Sequence, residues 1–407
     1  MLATLKSGFN KYPSQFWLLF GGMFISVLGM SMIWPFLMIY VKGKLGLPMT
    51  QVASLMTVSA AAALVFSFIS GPIIDRVGRK WTMVFSLAAN GLGFLLLNFA
   101  NSLLGFSALM ALRGAVNPMY QIGADAMLAD LIEPENRADA YALTRLSKNA
   151  GIAIGPAIGG FLAGISYSIT FYIAFGGLVL FALLLALMAS ETRPEQIDQT
   201  PSAGGPLAGY DHIFKDRPFM GLVSGFTLVQ VCATLVWVLM GVYVTENFGL
   251  TEAQYGLIPM TNALMVVAFQ VFVTNRSKHR PPLWIMSLGA LFYTAGVTSV
   301  GLGSDFWVFW LSMVILTLGE LLLVPTATTF AANLAPPDMR GRYMSLYSLS
   351  WQAAAGIGPL IGGILNDQIS PKAIWFGGGL FGLAGVVYFV ISAVRAGSSK
   401  KLDLVGN

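Results

Sequence analysis

Ala129–Leu162 reads ADLIEPENRADAYALTRLSKNAGIAIGPAIGGFL, and Ala332–Leu365 reads ANLAPPDMRGRYMSLYSLSWQAAAGIGPLIGGIL. The two align without a gap at an offset of about 203 residues, with roughly 15 of 34 positions identical. Arg137 matches Arg340, and Gly155-Pro156-x-x-Gly159-Gly160 matches Gly358-Pro359-x-x-Gly362-Gly363. A repeat at half the chain length describes two similar halves rather than a solenoid.

The surroundings of this repeat are too apolar for water. Of the 407 residues, 56% are hydrophobic and 10% charged, against about 25% charged in an ordinary soluble domain. The expected fold is therefore an all-α bundle in a lipid bilayer. The formal charge of +5 suits cytoplasmic loops better than nucleic acid, for which no aromatic-basic patch is present. Cys232 stands alone in an apolar run, which excludes an intramolecular disulfide, and His212 and His279 have no metal-ligand spacing. No metal site, cofactor or enzymatic machinery is expected. Lys6 and Lys11 precede a long apolar run without a small-residue cleavage site, which reads as a retained first transmembrane helix.

Apolar runs of about 20 residues recur along the chain, each able to span ~30 Å of hydrocarbon at 1.5 Å per residue. About twelve are predicted: 15–41, 50–72, 81–100, 104–130, 138–164, 168–190, 217–245, 252–275, 282–303, 306–333, 341–365 and 371–394. They are continuous rather than alternating, which favours helices over a β-barrel. The polar stretch 191–216 separates a six-helix half, 1–190, from a second, 217–407, and reads as a cytoplasmic linker. Most of the 23 Lys and Arg residues fall on one side if both termini are cytoplasmic; Lys42, Lys44 and Lys372 face outside, and Arg113, Arg145 and Lys148 fall within predicted helices. Two halves of this kind in a membrane imply a transporter with its site between them.

Between the second and third runs stands Gly71-Pro-Ile-Ile-Asp75-Arg76-Val-Gly78-Arg79-Lys80. It resembles the signature loop of the major facilitator superfamily, G-x-x-x-D-R-x-G-R-[RK]. With the two halves and the linker, the resemblance spans the chain. The matching turn of the second half, Thr274-Asn-Arg276-Ser-Lys278-His-Arg280, keeps the basic character without the Gly and Asp. Gly151-x3-Gly155-Pro156-x2-Gly159-Gly160 resembles the family's antiporter motif. Leu112-Arg113-Gly114 resembles the motif whose arginine takes part in proton coupling. Thr317-Leu-Gly319-Glu320 with Pro325 resembles the acidic site of bacterial drug:proton antiporters. The resemblance implies a major facilitator fold in the cell (inner or plasma) membrane. It implies proton-coupled efflux of amphipathic or lipophilic compounds, drugs included, by alternating access. The expected partners are a small-molecule substrate, protons and the bilayer, with the chain acting as a monomer and no nucleic acid. The departures are equally plain. The first helix, Gln15–Tyr40, has no acidic residue, and Arg145 and Lys148 do not suit a cationic drug. A carrier of an organic anion, a nutrient or a lysolipid stays open beside the exporter.

Individual residues carry these expectations. Gly78 allows a turn with positive φ, and Asp75 at the end of its helix can pair with a cation or accept from a helix N-terminus. Gly71, Asp75, Arg76, Gly78, Arg79, Arg137 and Arg340 form an expected cytoplasmic latch. Gly151, Gly155, Pro156, Gly159, Gly160, Gly358 and Pro359 either pack helices closely or bend them as hinges. Glu320 lies about 15 residues into its run, roughly 20 Å from the outer face, where a lone carboxylate is costly. It either binds a proton or cation, or makes a structural hydrogen bond while protonated. Asp125 and Arg145 lie at one depth and can form an ion pair, whereas Lys148 lies near Gln121 without an acidic neighbour. Arg113 cannot release its proton, so it tunes a carboxylate, binds an anion or snorkels to the headgroups. Asn117, Gln121, Gln230, Asn262, Gln270 and Gln352 are the polar cavity candidates, and Trp34, Tyr40, Tyr120, Trp237, Tyr243, Tyr347 and Trp351 either wall the cavity or sit in the interface belts.

Overall fold

In this computed structural model, which describes residues 12–133, 136–192, 210–336 and 339–405, a long helix lies over every apolar run and no strand occurs among the described residues. Hydrocarbon offers no water to an unpaired backbone group, so each segment must close its own hydrogen bonds. The first run is α1 (Ser14–Ile33), a single 3-10 turn at Trp34–Phe36, and α2 (Leu37–Leu45). Then follow α3 (Met49–Val77), α4 (Arg79–Phe99), α5 (Leu103–Leu131), α6 (Arg137–Ile165) and α7 (Tyr167–Met188). A short α8 (Tyr210–Lys215) precedes α9 (Arg217–Phe248), α10 (Glu252–Ser277), α11 (Pro282–Val300), α12 (Phe306–Leu334), α13 (Arg340–Gln368) and α14 (Ala373–Val405). Nine helices among the described residues are long and apolar enough to cross a bilayer. The remaining long ones, α5, α6 and α13, have 29 residues each and carry Arg113, Asn117, Gln121 and Asp125, Arg145 and Lys148, and Gln352 respectively.

Side chains at the ends stop and start these helices. Ser102 Oγ accepts the Gly105 amide at 3.2 Å, and the Asp305 carboxylate accepts those of Trp307 and Val308. Both satisfy orphan amides of a first turn. Gly46 and Gly249, at φ 62° and 68°, end α2 and α9 in the left-handed conformation that glycine adopts without penalty. They too are separated by the offset of the internal repeat, about 203 residues.

The chain divides into two compact units. The first comprises Met1–Gly46, Val58–Asp198 and Thr251–Met260; the second comprises Leu47–Thr57, Gln199–Leu250 and Thr261–Asn407. In the first, α6 packs on α1 through its glycines. A Cβ on Gly151 would stand 2.9 Å from the Leu28 amide nitrogen, and one on Gly155 or Gly159 would collide with Ser31 or Met32. The bared backbone is then bridged: Ser31 Oγ donates to the Gly151 carbonyl at 2.9 Å and Ser147 Oγ to that of Phe20 at 2.6 Å. In the second unit α13 repeats this on α9, with Gly358 against Val231 and Thr234, and Gly362 against Leu235 and Leu239. Pro156 and Pro359 lie inside continuous helices.

The second unit holds the first turn of α3 through Asp367, at the end of α13. Its two oxygens accept the Met49 amide at 3.0 Å, the Thr50 amide at 2.8 Å and the Thr50 hydroxyl at 2.7 Å. Burial would push this carboxyl up. The donors of Thr50, Asn366 and Met49 outweigh it and hold Asp367 below its ordinary value of 3.8.

Two expectations follow from these contacts. Gly159→Val forces a side chain onto the Met32 backbone and should destabilise by about 1–3 kcal/mol, whereas Gly164→Ala enters open space and should be neutral; thermal unfolding in detergent compares them. Because the Asp367 pKa is depressed on folding, its stabilisation is complete above the ordinary carboxylate value and disappears as pH falls through the lower folded value. Wild type should therefore lose an advantage over Asp367→Asn as pH falls below about 4, read as converging unfolding midpoints; a gap that stays constant as pH falls would exclude the clasp.

Candidate functional site

Glu320 is the central residue of the 29-residue α12. Gly289 and Gly319 let α11 and α12 meet at backbone distance there, since a Cβ on Gly319 would stand 2.8 Å from the Tyr293 nitrogen. The carboxylate is half-buried. Asn262 of α10, 4% exposed, donates its Nδ2 to Glu320 Oε2 at 2.8 Å and to Thr317 Oγ1 at 3.0 Å. Thr317 Oγ1 in turn donates a hydrogen bond to the Met313 carbonyl at 2.7 Å. Two more rungs tie the same helices: Trp310 Nε1 to Thr261 Oγ1 at 2.9 Å and Gln270 Nε2 to the Leu321 carbonyl at 3.2 Å. Glu320 Oε1 has no hydrogen bond among the described residues. An amide N–H donates to a carboxylate or to the carbonyl of a carboxylic acid alike. Asn262 can therefore hold Glu320 in one place whether or not it carries a proton.

The same unit has a strip of aromatic and amide groups where α9 meets α13. Phe226 lies 5.0 Å from the Tyr347 ring and 5.5 Å from Trp351. One turn on, Gln230 is buried with Nε2 unpaired, and Gln352 has a buried, unpaired Oε1. Such orphan groups are uncommon in native proteins and mark places where a solvent or ligand partner belongs.

The first unit holds the cations. Arg113 of α5 is 6% exposed, with its guanidinium carbon 3.7 Å from the centre of the Phe94 ring. Gly93 makes room, as a Cβ there would meet Arg113 Cγ at 2.9 Å. The charge is held by a ring face, makes no ion pair with a described residue, and leaves Nε unpaired. This corrects the snorkelling alternative: a buried, stacked guanidinium does not reach the headgroups. Lys148 of α6 donates to Gln121 Oε1 of α5 at 3.3 Å, and the charge of Asp125, one turn further along α5, also acts with it. The expected Asp125–Arg145 pair is not formed. Both side chains are exposed, and the Asp125 main-chain carbonyl instead accepts from Tyr141 Oη at 3.1 Å. Equal depth on adjacent helices does not place two side chains on facing sides. Asn117 is half-buried on α5.

The turn between α3 and α4 has the shape expected of it, with Gly78 at φ 104°. Its partners differ from those expected. Glu191, just past α7, accepts the amides of Arg79 at 2.8 Å and Lys80 at 3.1 Å, completing the first turn of α4 and meeting its positive dipole. A side chain on Gly78 would strike Glu191. Arg79, 9% exposed, stands 3.0 Å from Asp130 Oδ2 and 4.0 Å from Asp75 Oδ1. The Asp130 contact is a charge pair and not an aligned hydrogen bond. Thr192 Oγ1 donates to the same Asp130 oxygen at 3.0 Å. Asp75 itself is largely exposed, so the helix-end acceptor is Glu191. Arg137 turns its Nε to the Ile132 carbonyl at 3.0 Å. Arg76 is exposed and Gly71 lies in open space on α3. The side chain of Arg340, which opens α13, lies outside the described residues. Sequence reasoning missed Glu191, Asp367 and the Phe94 platform. An acidic residue closing an apolar run was the only signal for the first two.

The profile of the Major Facilitator Superfamily matches residues 19–243 and 222–405. A Na(+), Li(+), K(+)/H(+) antiporter of Planococcus maritimus is 27% identical over 379 residues, covering 86% of this chain and 87% of that protein. Quinolone resistance protein NorA of Staphylococcus aureus (strain COL) is 22% identical over 397 residues, covering 96% and 99%. The crystal structure of a POT family transporter in complex with 5-aminolevulinic acid superposes with a TM-score of 0.78 at 17% identity, over 94% of this chain and 96% of that one.

The α4 cap separates Glu191 from Asp75 experimentally. Glu191→Gln should accelerate hydrogen exchange at the Arg79 and Lys80 amides by about tenfold, the loss of one charge-assisted bond. Asp75→Asn should leave those amides unchanged; the opposite pattern would return the helix-end role to Asp75.

Proposed function

The chain belongs to the major facilitator superfamily, whose members are membrane transporters and not enzymes, and from that premise we propose that it exports amphipathic or lipophilic organic compounds, drugs included, in exchange for protons. The observation that carries this reading is the Glu320–Asn262 pair at 2.8 Å in the middle of α12. One carboxylate oxygen is engaged and the other is free to take a proton or face a cationic group. A proton arriving down its gradient neutralises Glu320, weakens its hold on a bound cation and lets the cavity reset in alternating access. Gln230 and Gln352 supply hydrogen-bonding groups, and Phe226, Tyr347 and Trp351 supply ring faces, for a molecule with one polar end. The antiport named for the Planococcus relative and the quinolone resistance named for the Staphylococcus one support both parts of the proposal.

On the same reading the chain crosses the bacterial cell membrane twelve times with both termini inside, in keeping with the Lys and Arg distribution. It works as a monomer, the Gly78 turn and its acidic partners act as the latch of the cytoplasmic side, and the α6 and α13 glycines serve as hinges as well as packing surfaces. Arg113 and Lys148 favour a second reading. Two cations in the first unit, one stacked on Phe94 and one on Gln121, suit a substrate with an anionic group: an organic anion, a nutrient or a lysolipid.

Substrate-evoked proton release from purified, reconstituted protein distinguishes the two. Lipophilic cations should release protons from wild type, and Glu320→Gln should reduce the signal by at least about tenfold; Asn262→Ala should keep the release but shift its pH dependence. If Glu320→Gln retains full proton-dependent transport, Glu320 is not the coupling group. If only amphipathic anions act, and need Arg113 or Lys148, the exporter of cations gives way to an anion carrier.

A further inference from the structure

The stretch Asn275-Arg276-Ser277-Lys278-His279-Arg280 closes α10 and leads to α11, as Gly78 joins α3 to α4. Arg79 of the first turn is answered by Asp130 and Asp75. Arg276, Lys278 and Arg280 are exposed, and none makes an ion pair with a described residue; Lys278 only donates to Asn275 Oδ1 at 3.1 Å. Three cations thus stand together without an acidic partner among the described residues.

Beneath them lies a groove of about 260 Å³ among α10, α11 and α12. Its walls are Phe272, Val273, Ile285 and Leu322, and its rim holds Arg276 and Arg280. Phe272 is 71% exposed, on a helix apolar enough to cross a membrane, so this wall faces acyl chains. Trp284, 48% exposed in the first turn of α11, sits where an indole marks the headgroup level. A second hollow of about 250 Å³ shares Ser277 and Arg280 with the groove and adds Lys278, Thr326, Thr329 and Asn333. The arrangement reads from apolar wall to guanidinium rim to hydroxyl-lined hollow.

We propose that this site binds an anionic glycerophospholipid, with one acyl chain along Phe272 and Leu322, its phosphate at Arg276 and Arg280, and its polar headgroup toward Lys278 and Asn333. Guanidinium groups fork onto phosphate oxygens. A groove open to the bilayer receives a chain without crossing water. A zwitterionic lipid would bring an ammonium against three cations, which selects the anionic class. The site lies on the face that the Lys and Arg distribution assigns to the cytoplasm, and it is independent of what the protein transports.

Thermal unfolding of the full-length protein in a neutral detergent, titrated with phosphatidylglycerol, phosphatidylcholine or inorganic phosphate at matched ionic strength, tests this. Phosphatidylglycerol should raise the midpoint at a roughly tenfold lower concentration than phosphatidylcholine, and phosphate alone should do nothing. In R276Q/R280Q the two lipids should become equivalent while the lipid-free midpoint stays put. Leu322→Trp, which fills the groove and spares every cation, should lose the phosphatidylglycerol preference as well, and it serves if the double variant does not fold. Equal action of the two lipids on wild type overturns the proposal, as does a preference surviving in either variant. A phosphate effect matching that of phosphatidylglycerol would make this a soluble-anion site instead.

Discussion

A carboxylate in the middle of a membrane helix keeps a defined place only if the protein supplies what water would have supplied. Asn262 does this for Glu320 at 2.8 Å, and Thr317 anchors Asn262 in turn. The same constraint shapes the rest of the chain. Arg113 is lodged against the Phe94 ring, Ser31 and Ser147 answer carbonyls exposed where glycines let helices touch, and Asp305 and Ser102 close first turns. The constraint is left unmet at Gln230 Nε2, Gln352 Oε1 and Arg113 Nε, which are buried without a hydrogen-bond partner among the described residues.

Carboxylates at helix ends do a second kind of work. Glu191 receives the first amides of α4, and Asp367 those of α3. Each is a charge set against a helix N-terminus, an interaction that is strong at short range and weakens sharply when the acceptor is protonated or displaced. Asp367 is the more telling case, because the turn it grips, Leu47–Thr57, belongs to the second unit while the remainder of α3 belongs to the first. One helix is thereby divided between the two units.

The two halves use their common plan unequally. The glycine seams of α6 on α1 and α13 on α9 repeat closely, and Gly46 and Gly249 end matching helices. The turns at Gly78 and Asn275 do not: one is surrounded by Asp75, Asp130 and Glu191, the other by apolar wall and open groove. Arg113 and Lys148 lie in the first unit together with Asp125, and Glu320 lies in the second. Divergence between repeats has thus fallen on charges, while packing has been kept.

Read alone, the chain determined its helices, the left-handed turn at Gly78, the close packing of α6 and α13 and the place of Glu320 in the middle of an apolar run. All of these depend on residue type and spacing along one strand of sequence, where hydrocarbon thickness and helix rise leave few choices. Partners were another matter. Glu320 and Asn262 are 58 residues apart, Arg79 and Glu191 112, Asp367 and Thr50 317. Depth could be counted from the sequence, and it placed Lys148 beside Gln121 correctly, but depth without rotation about the helix axis also suggested an Asp125–Arg145 pair that the fold does not make. Which side of a helix faces which neighbour is decided by how the long helices pack together, and only the tertiary structure holds that information.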